Sequence, residues 1–234
     1  MKIKKEVLKQ FLRETALAGE NTLTEVKLDF NENGLCLTAI TDGNAIMVKA
    51  QLISTAFEDY AAIGKIGIIN YGELSRVVET LTDNIEINKD GNVLVFKGGR
   101  KVDVPLADES LIKDISKIPN LTYDYTFTLC KKVFDDIEKN ISFALNKSDS
   151  KTIQFTGKNK ALTVKYGTKY KFEDAVAVDE INADEIDVRF GEVLLNAVAN
   201  IEGDLTVQMK SNFPITIMKK TDMYAIKIIV APKV

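Results

Sequence analysis

The feature that most constrains this chain is a pattern that recurs four times along it: a stretch with helical periodicity, then a strand, a turn and a strand. The helical stretches are Lys5–Ala18, Gly72–Leu81, Lys131–Ile141 and Gly191–Ile201. Val7, Leu8, Phe11 and Leu12 share one face of the first, and Leu74, Val77, Val78 and Leu81 one face of the second. Val133, Phe134, Ile137 and Ile141 do so in the third, and Val193, Leu194, Ala197, Val198 and Ile201 in the fourth. Apolar residues at this spacing form the buried stripe of an amphipathic helix. The strand pairs read "VKLDFNENGLCLTAI", "IEINKDGNVLVF", "TIQFTGKNKALTVKY" and "LTVQMKSNFPITIM". Their alternation is that of half-buried strands, and Asn33-Gly34 and Asp90-Gly91 are hairpin-turn dipeptides. Helix starts and turn centres recur at a spacing of roughly sixty residues, the mark of an internal repeat. The chain therefore reads as an α+β fold of two similar domains, each made of two helix-plus-β-meander units.

The boundary falls in "DESLIKDISKIPNL", Asp108–Leu121, which has mixed charge, weak periodicity and a proline. Residues 1–107 and 122–234 are then the two domains and 108–121 the connector. A chain of 234 residues, 45% hydrophobic and 28% charged, can bury a sizeable core without disulfides or metals. The longest apolar runs are strand-sized, so no helical membrane span is expected. The N-terminus, Met1-Lys2-Ile3-Lys4-Lys5, has no apolar signal-peptide core, and a cytosolic location is expected. Cys36 and Cys130 lie in apolar strand-like contexts without metal or redox spacing and are expected as reduced, buried thiols.

There is no histidine. Histidine is the commonest general base and metal ligand, so Ser-His, Cys-His and His-metal chemistry are excluded. "DFNENG", Asp29–Gly34, imitates the start of a calcium loop, but the ligand at loop position twelve falls on Ile40, which cannot coordinate. It reads as a hairpin turn. No metal site, catalytic residue or cofactor is assigned.

The polar faces of the helices are more informative. At about 100° per residue, Lys5, Lys9 and Arg13 fall in one narrow sector opposite the first apolar stripe. Arg76 lies opposite the second stripe, and Lys132 and Lys139 opposite the third. Spacing puts Glu79 near Arg76, and Asp135 and Asp136 near Lys132; the fourth helix offers only Glu192, Asn196 and Asn200. A solvated helix face accounts for such charges. So does a surface that holds nucleic-acid phosphates without reading bases. The net charge of −3 decides neither way.

"VLKQFLRE" in the first helix, "GLCLTAITDGNAIMVKAQL" after it, "KIPNLTYDYTFTL" at the connector and "FPITIMKKTDMYAIKIIVAPK" near the end together resemble the sliding clamps of the proliferating cell nuclear antigen (PCNA) type, of archaeal or viral kind. The resemblance covers essentially the whole chain. It implies the DNA-clamp fold and a homotrimeric ring that encircles double-stranded DNA independently of sequence. Such a ring tethers DNA polymerase, ligase and nuclease through short peptide motifs and is loaded by a clamp loader. It has no catalysis, cofactor or membrane partner, and it acts at the nucleoid or, for a viral protein, in the host cell. DNA-facing roles then pass to Lys5, Lys9, Arg13, Arg76, Lys132 and Lys139. A partner-peptide pocket is implied at Ile40, Ala45, Met47, Ile115, Ile118, Pro119, Pro214, Ala231 and Pro232. By the same resemblance "RKVDVPL" (Arg100–Leu106) of one subunit pairs with "ALTVKY" (Ala161–Tyr166) of the next, placing Val102, Val104, Leu162 and Val164 at the interface. Two other readings stay open: one subunit of a heterotrimeric or checkpoint-type ring, and, more remotely, a carboxylate- or lysine-based enzyme on a repeated α+β scaffold.

Overall fold

A computed structural model describes residues 1–113, 115, 119–146, 149–158, 161–176 and 186–233. They form two compact units. One comprises Met1–Leu17, Thr22–Ile118 and Lys220–Ile226; the other comprises Ala18–Asn21, Pro119–Lys219 and Lys227–Val234.

The first unit runs β1 (Lys2–Lys4), α1 (Lys5–Thr15), β2 (Glu25–Asn31), β3 (Gly34–Ile40), β4 (Ile46–Ile53), β5 (Phe57–Glu58), β6 (Gly64–Ile69), α2 (Leu74–Glu79), β7 (Asn84–Asp90), β8 (Val93–Lys97) and β9 (Lys101–Ala107). Its strands are ordered β4-β3-β2-β6-β9-β8-β7-β1-β5, every pairing antiparallel. The two helices pack on each other. Leu8, Phe11 and Leu12 of α1 are buried, as the stripe predicts. So are Leu74 and Val78 of α2 and the inward residues Leu28, Phe30, Leu37 and Val48 of the strands. Each such side chain contributes about 1.5–3 kcal/mol by leaving water. At the start of the connector, Ile112 is buried against Gly67, where a Cβ would stand 2.7 Å from both the Ala107 carbonyl oxygen and Ile112 Cδ1. Only glycine lets β9 and the connector approach β6 this closely.

The second unit runs β10 (Tyr125–Cys130), α3 (Lys132–Ala144), β11 (Thr152–Lys158), β12 (Ala161–Tyr166), β13 (Phe172–Val176), β14 (Asp187–Gly191), α4 (Val193–Val198), β15 (Asp204–Met209) and β16 (Ile215–Lys220); β17 (Tyr224–Val230) is the last strand of the chain. Here β15 lies between β10 and β16, and β13-β12-β11-β14 form a separate four-stranded sheet. Phe134, Ile137 and Ile141 of α3 and Leu194, Ala197 and Val198 of α4 are buried, again on the expected stripes.

Four expectations are corrected. The second helix is shorter than Gly72–Leu81. Asn70 takes φ 60°, and the Tyr71 and Gly72 N–H groups bond to the Thr24 and Leu23 carbonyls at 2.9 and 3.1 Å. A 3-10 turn at Tyr71–Glu73 therefore precedes α2. The fourth likewise contracts to Val193–Val198. Cys130 is exposed and Cys36 only half-buried: each occupies the outward parity of its strand, beside inward Leu129 and Leu37. The "ALTVKY" strand, expected to pair with a neighbouring subunit, is central in its own sheet. It pairs along its length with β11 on one side and from Leu162 to Tyr166 with β13 on the other.

Candidate nucleic-acid interface

The predicted DNA-facing cations divide into engaged and free. α1 starts where the Lys5 N–H meets the Asp83 carbonyl at 2.7 Å. From there the Lys5 ammonium reaches the Leu81 carbonyl at 3.0 Å, just past the end of α2. One turn on, Lys9 Nζ stands 2.7 Å from Glu79 Oε1. The hydrogen bond to Glu79 raises the Lys9 pKa, and the same bond holds the Glu79 carboxyl below its usual range. The sequence spacing assigned Glu79 to Arg76; the fold gives it to Lys9, because α1 lies alongside α2. Lys5 and Lys9 are thus not the free cations that the helical sector suggested. Arg13 is half-buried, while Arg76 is exposed and makes no ion pair among the described residues.

On α3, Lys132 and Lys139 are exposed and have no hydrogen-bond or ion-pair partner among the described residues. Lys131, just before the helix, is bound to Asp135. α4 adds no cation. Its Asn196 does structural work: the carbonyl accepts from the Ala18 N–H at 3.1 Å, and the side-chain amide donates to Asn21 Oδ1 at 2.9 Å. Glu192 is paired with Lys151.

The residues assigned to a peptide pocket lie in both units. In the first, Ile40 and Met47 face each other across β3 and β4, and both are half-buried, as is Ala45. Thr41 fastens the turn between the strands. Its N–H bonds to the Ile46 carbonyl at 3.0 Å, and its hydroxyl accepts from the Ile46 N–H at 3.2 Å. Lys113 ties the connector to this turn through Asn44 Oδ1 at 2.7 Å. Ile115 is half-buried, Leu111 is 81% exposed, and Ile118 lies outside the described residues. In the second unit Pro119 is exposed and Pro214, Ala231 and Pro232 are half-buried. The tail is fastened there: the Lys233 N–H donates to the Arg189 carbonyl at 2.7 Å, and its ammonium to Ser150 Oγ at 2.5 Å and Thr152 Oγ1 at 2.7 Å.

Among the strand edges left open in the described residues, β9 and β13 bear on the expected subunit contact. In β9, residues 101–105 pair only with β8, because β6 meets only Leu106 and Ala107. Val102 on that stretch is half-buried and Val104 buried. In the second unit β13 is an open edge, at the opposite end of its sheet from β14. Leu162 and Val164, expected at an interface, are buried within their own sheet. The β13 edge carries aromatic surface: Phe143 is 53% and Tyr170 54% exposed. Phe143 meets Phe172 edge-on at 5.9 Å, and Phe172 stacks on Tyr166 at 5.0 Å. The sequence carried a signal for Phe143. It stands about 180° around α3 from Phe134, an aromatic on the polar side.

No family model matches the chain. It is 31% identical over 138 residues to a DNA polymerase sliding clamp of Thermoplasma acidophilum, a match covering 57% of this chain and 54% of that protein. It is 28% identical over 132 residues to that of Thermoplasma volcanium, covering 55% and 52%. It is 26% identical over 154 residues to that of Methanocorpusculum labreanum, covering 62% and 61%. The chain thus spans about half the length of the first two curated relatives. Among solved structures, one of the C-terminal region of FEN-1 bound to A. fulgidus PCNA superposes with a TM-score of 0.79 at 20% identity, covering 100% of this chain and 97% of that one. PCNA from Entamoeba histolytica superposes with a TM-score of 0.80 at 17% identity, covering 100% and 98%. The fold is the two-domain α+β fold of these clamps.

Proposed function

We propose that this chain, similar in sequence to DNA polymerase sliding clamps and folded like PCNA, is a processivity factor: a homotrimeric ring that encircles duplex DNA and tethers replication and repair proteins to it. The observation that carries this reading is the fold likeness over the entire chain, joined to curated relatives that all bear the clamp's name. A clamp needs three things: attraction to phosphate without base readout, strand edges that join subunits, and an apolar anchor for partners. Arg76, Lys132 and Lys139 supply free charge for the first, with Arg13, Lys9 and Lys5 behind them. For the second, β9 of one subunit adds to β13 of the next, a head-to-tail contact of the kind that closes into a ring. The expected pairing of β9 with β12 is replaced by pairing with β13. For the third, we assign the apolar residues Ile40, Ala45, Met47, Ile115, Ile118, Pro119, Pro214, Ala231 and Pro232 to receive a short motif of a polymerase, ligase, nuclease or clamp loader. The protein acts at the nucleoid and performs no chemistry of its own.

Light scattering and a topological assay test this together. The expected mass is three times the chain's 26.0 kDa. A ring placed around a nicked circular plasmid should stay on it through gel filtration and be lost when the plasmid is cut once. A trimer that dissociates equally from circle and line does not encircle DNA. A chain that stays monomeric alone and forms a ring only with other clamp-like chains is a heterotrimer subunit.

A further inference from the structure

α1 presents cations at one-turn intervals, Lys5, Lys9 and Arg13, and the first two are turned toward the end of α2. Lys5 finds a backbone carbonyl there, and Lys9 finds the Glu79 carboxylate at 2.7 Å. The Glu79 side chain is 61% exposed and that of Lys9 25%. An ion pair this exposed adds little to folding stability. Its position matters more: it takes up one cation of the proposed DNA face and sets a negative charge within reach of Lys5 and Arg13 and three residues along α2 from Arg76, which makes no ion pair among the described residues. We propose that Glu79 is a built-in brake on DNA contact, holding Lys9 away from phosphate and repelling the phosphate that Arg76 would otherwise attract. The inference rests on the reading of α1 and α2 as DNA-facing.

Two effects follow and can be separated. A phosphate arriving at α1 must displace Glu79 from Lys9, so the count of neutralised phosphates is lower than the count of cations. Each phosphate neutralised adds about 0.9 to the slope of log affinity against log salt. Independently, one carboxylate within roughly 6 Å of a phosphate weakens binding by about threefold in water-like surroundings. A brake of this kind suits a protein that must hold DNA loosely enough to move along it.

The test uses the full chain and a fluorescently labelled duplex of mixed sequence, with anisotropy measured across a salt series and the oligomeric state checked for each variant. Glu79→Gln should bind roughly threefold to tenfold tighter at low salt, with a slope steeper by about one. Lys9→Gln should bind no tighter than the parent. In the Lys9→Gln background, Glu79→Gln should gain only the repulsion share and leave the slope unchanged. Glu79→Asp keeps the charge on a shorter arm that no longer reaches Lys9, and should recover the steeper slope with little of the repulsive gain. Capture of Lys9 is overturned by equal gains from Glu79→Gln with and without Lys9, and the brake itself by binding that is unchanged or weaker in Glu79→Gln. If the parent shows salt-dependent binding that Arg76→Gln weakens, either failure belongs to the brake alone. If the parent binds without salt dependence, the DNA-facing reading falls and the brake with it.

Discussion

The hydroxyl oxygens of Thr15 and Tyr71 lie 2.6 Å apart in the core of the first unit, and neither residue is exposed. The direction of the bond follows from the neighbours. Thr15 has one proton and gives it to the Phe11 carbonyl at 2.7 Å, so the Tyr71 phenol donates to Thr15. Burial raises the phenol's pKa far above the usual tyrosine range, so it holds this proton at any working pH. The bond fastens the last turn of α1 to the residue that opens the 3-10 turn before α2, fixing the two helices whose outer faces carry Lys9 and Arg76. The partners are unequal. Thr15→Val leaves the Tyr71 proton buried without an acceptor, at a cost of about 1–3 kcal/mol, whereas Tyr71→Phe leaves Thr15 still donating to Phe11 and costs about 0.5–1.5 kcal/mol. Urea denaturation of the two variants should show the larger loss for Thr15→Val. Equal losses, or the reverse order, refute the assigned direction.

Tyr60 gives the fold a dependence on alkaline pH. Its hydroxyl donates to the Asn31 carbonyl at 2.8 Å. Burial first, and then the charges of Cys36 and Asp29, push its pKa from about 10 up to about 12. The folded state therefore retains a proton that the unfolded chain releases. The stability tied to this difference is complete below about pH 10 and is lost as pH rises from there through about 12. Tyr60→Phe should be less stable than the parent at neutral pH, and the gap should narrow above pH 10 (measured by urea midpoint). A constant gap across that range would show that the Tyr60 proton is not linked to folding.

The helices and hairpins were legible because they are local. Leu8, Phe11 and Leu12 share a face by spacing alone, and Asn33-Gly34 marks a turn without reference to the rest of the chain. Helix ends were less so: α2 loses its first residues to bonds that Tyr71 and Gly72 make with Thr24 and Leu23, which no window around α2 contains. Edge and central strands alternate alike, so Leu162 and Val164 looked the same as Val102 and Val104. Only pairing with β13 separates them. Charge partners failed for the same reason. Lys9 and Glu79 are seventy positions apart, and helical spacing offered Glu79 the nearer Arg76.

The proposed subunit assembly is where this difference has consequences. Val164 is buried at the centre of its sheet, so changing it damages the fold rather than the ring. Phe143 is 53% exposed beside the open β13 edge, and its ring rests on Phe172. Large exposed apolar groups beside an unpaired strand mark an association surface. Phe143→Glu should keep the parent's thermal stability as a monomer within about 0.5 kcal/mol, as expected of an exposed site. In the proposed ring it should also place a charge in the subunit contact and shift the light-scattering mass from trimer toward monomer. Val102→Glu on the β9 edge should do the same from the other side. A Phe143→Glu trimer as persistent on dilution as the parent would remove β13 from the interface.

The tail supplies the last prediction. An exposed lysine beside an apolar wall would ordinarily act as a rim charge, affecting mainly how fast partners arrive. The contacts of Lys233 indicate a clasp. The backbone N–H is bonded to Arg189, and the ammonium to Ser150 and Thr152, which holds Ala231 and Pro232 against the second unit. A peptide that packs on an ordered apolar wall avoids the entropy of ordering it, so loosening the clasp should weaken binding without removing any apolar contact. The probe is a peptide from a FEN-1 C-terminal region, the segment seen on A. fulgidus PCNA. Deleting residues 231–234 removes the wall and should weaken the peptide at least tenfold, about 1.4 kcal/mol. Lys233→Ala should weaken it severalfold through faster dissociation, with the association rate nearly unchanged. A rim charge would show the opposite split, a slower and salt-sensitive association with dissociation unaltered. Stopped-flow binding of the labelled peptide to parent, Lys233→Ala and truncated rings distinguishes the two. Equal affinity for all three would place the peptide site away from the tail.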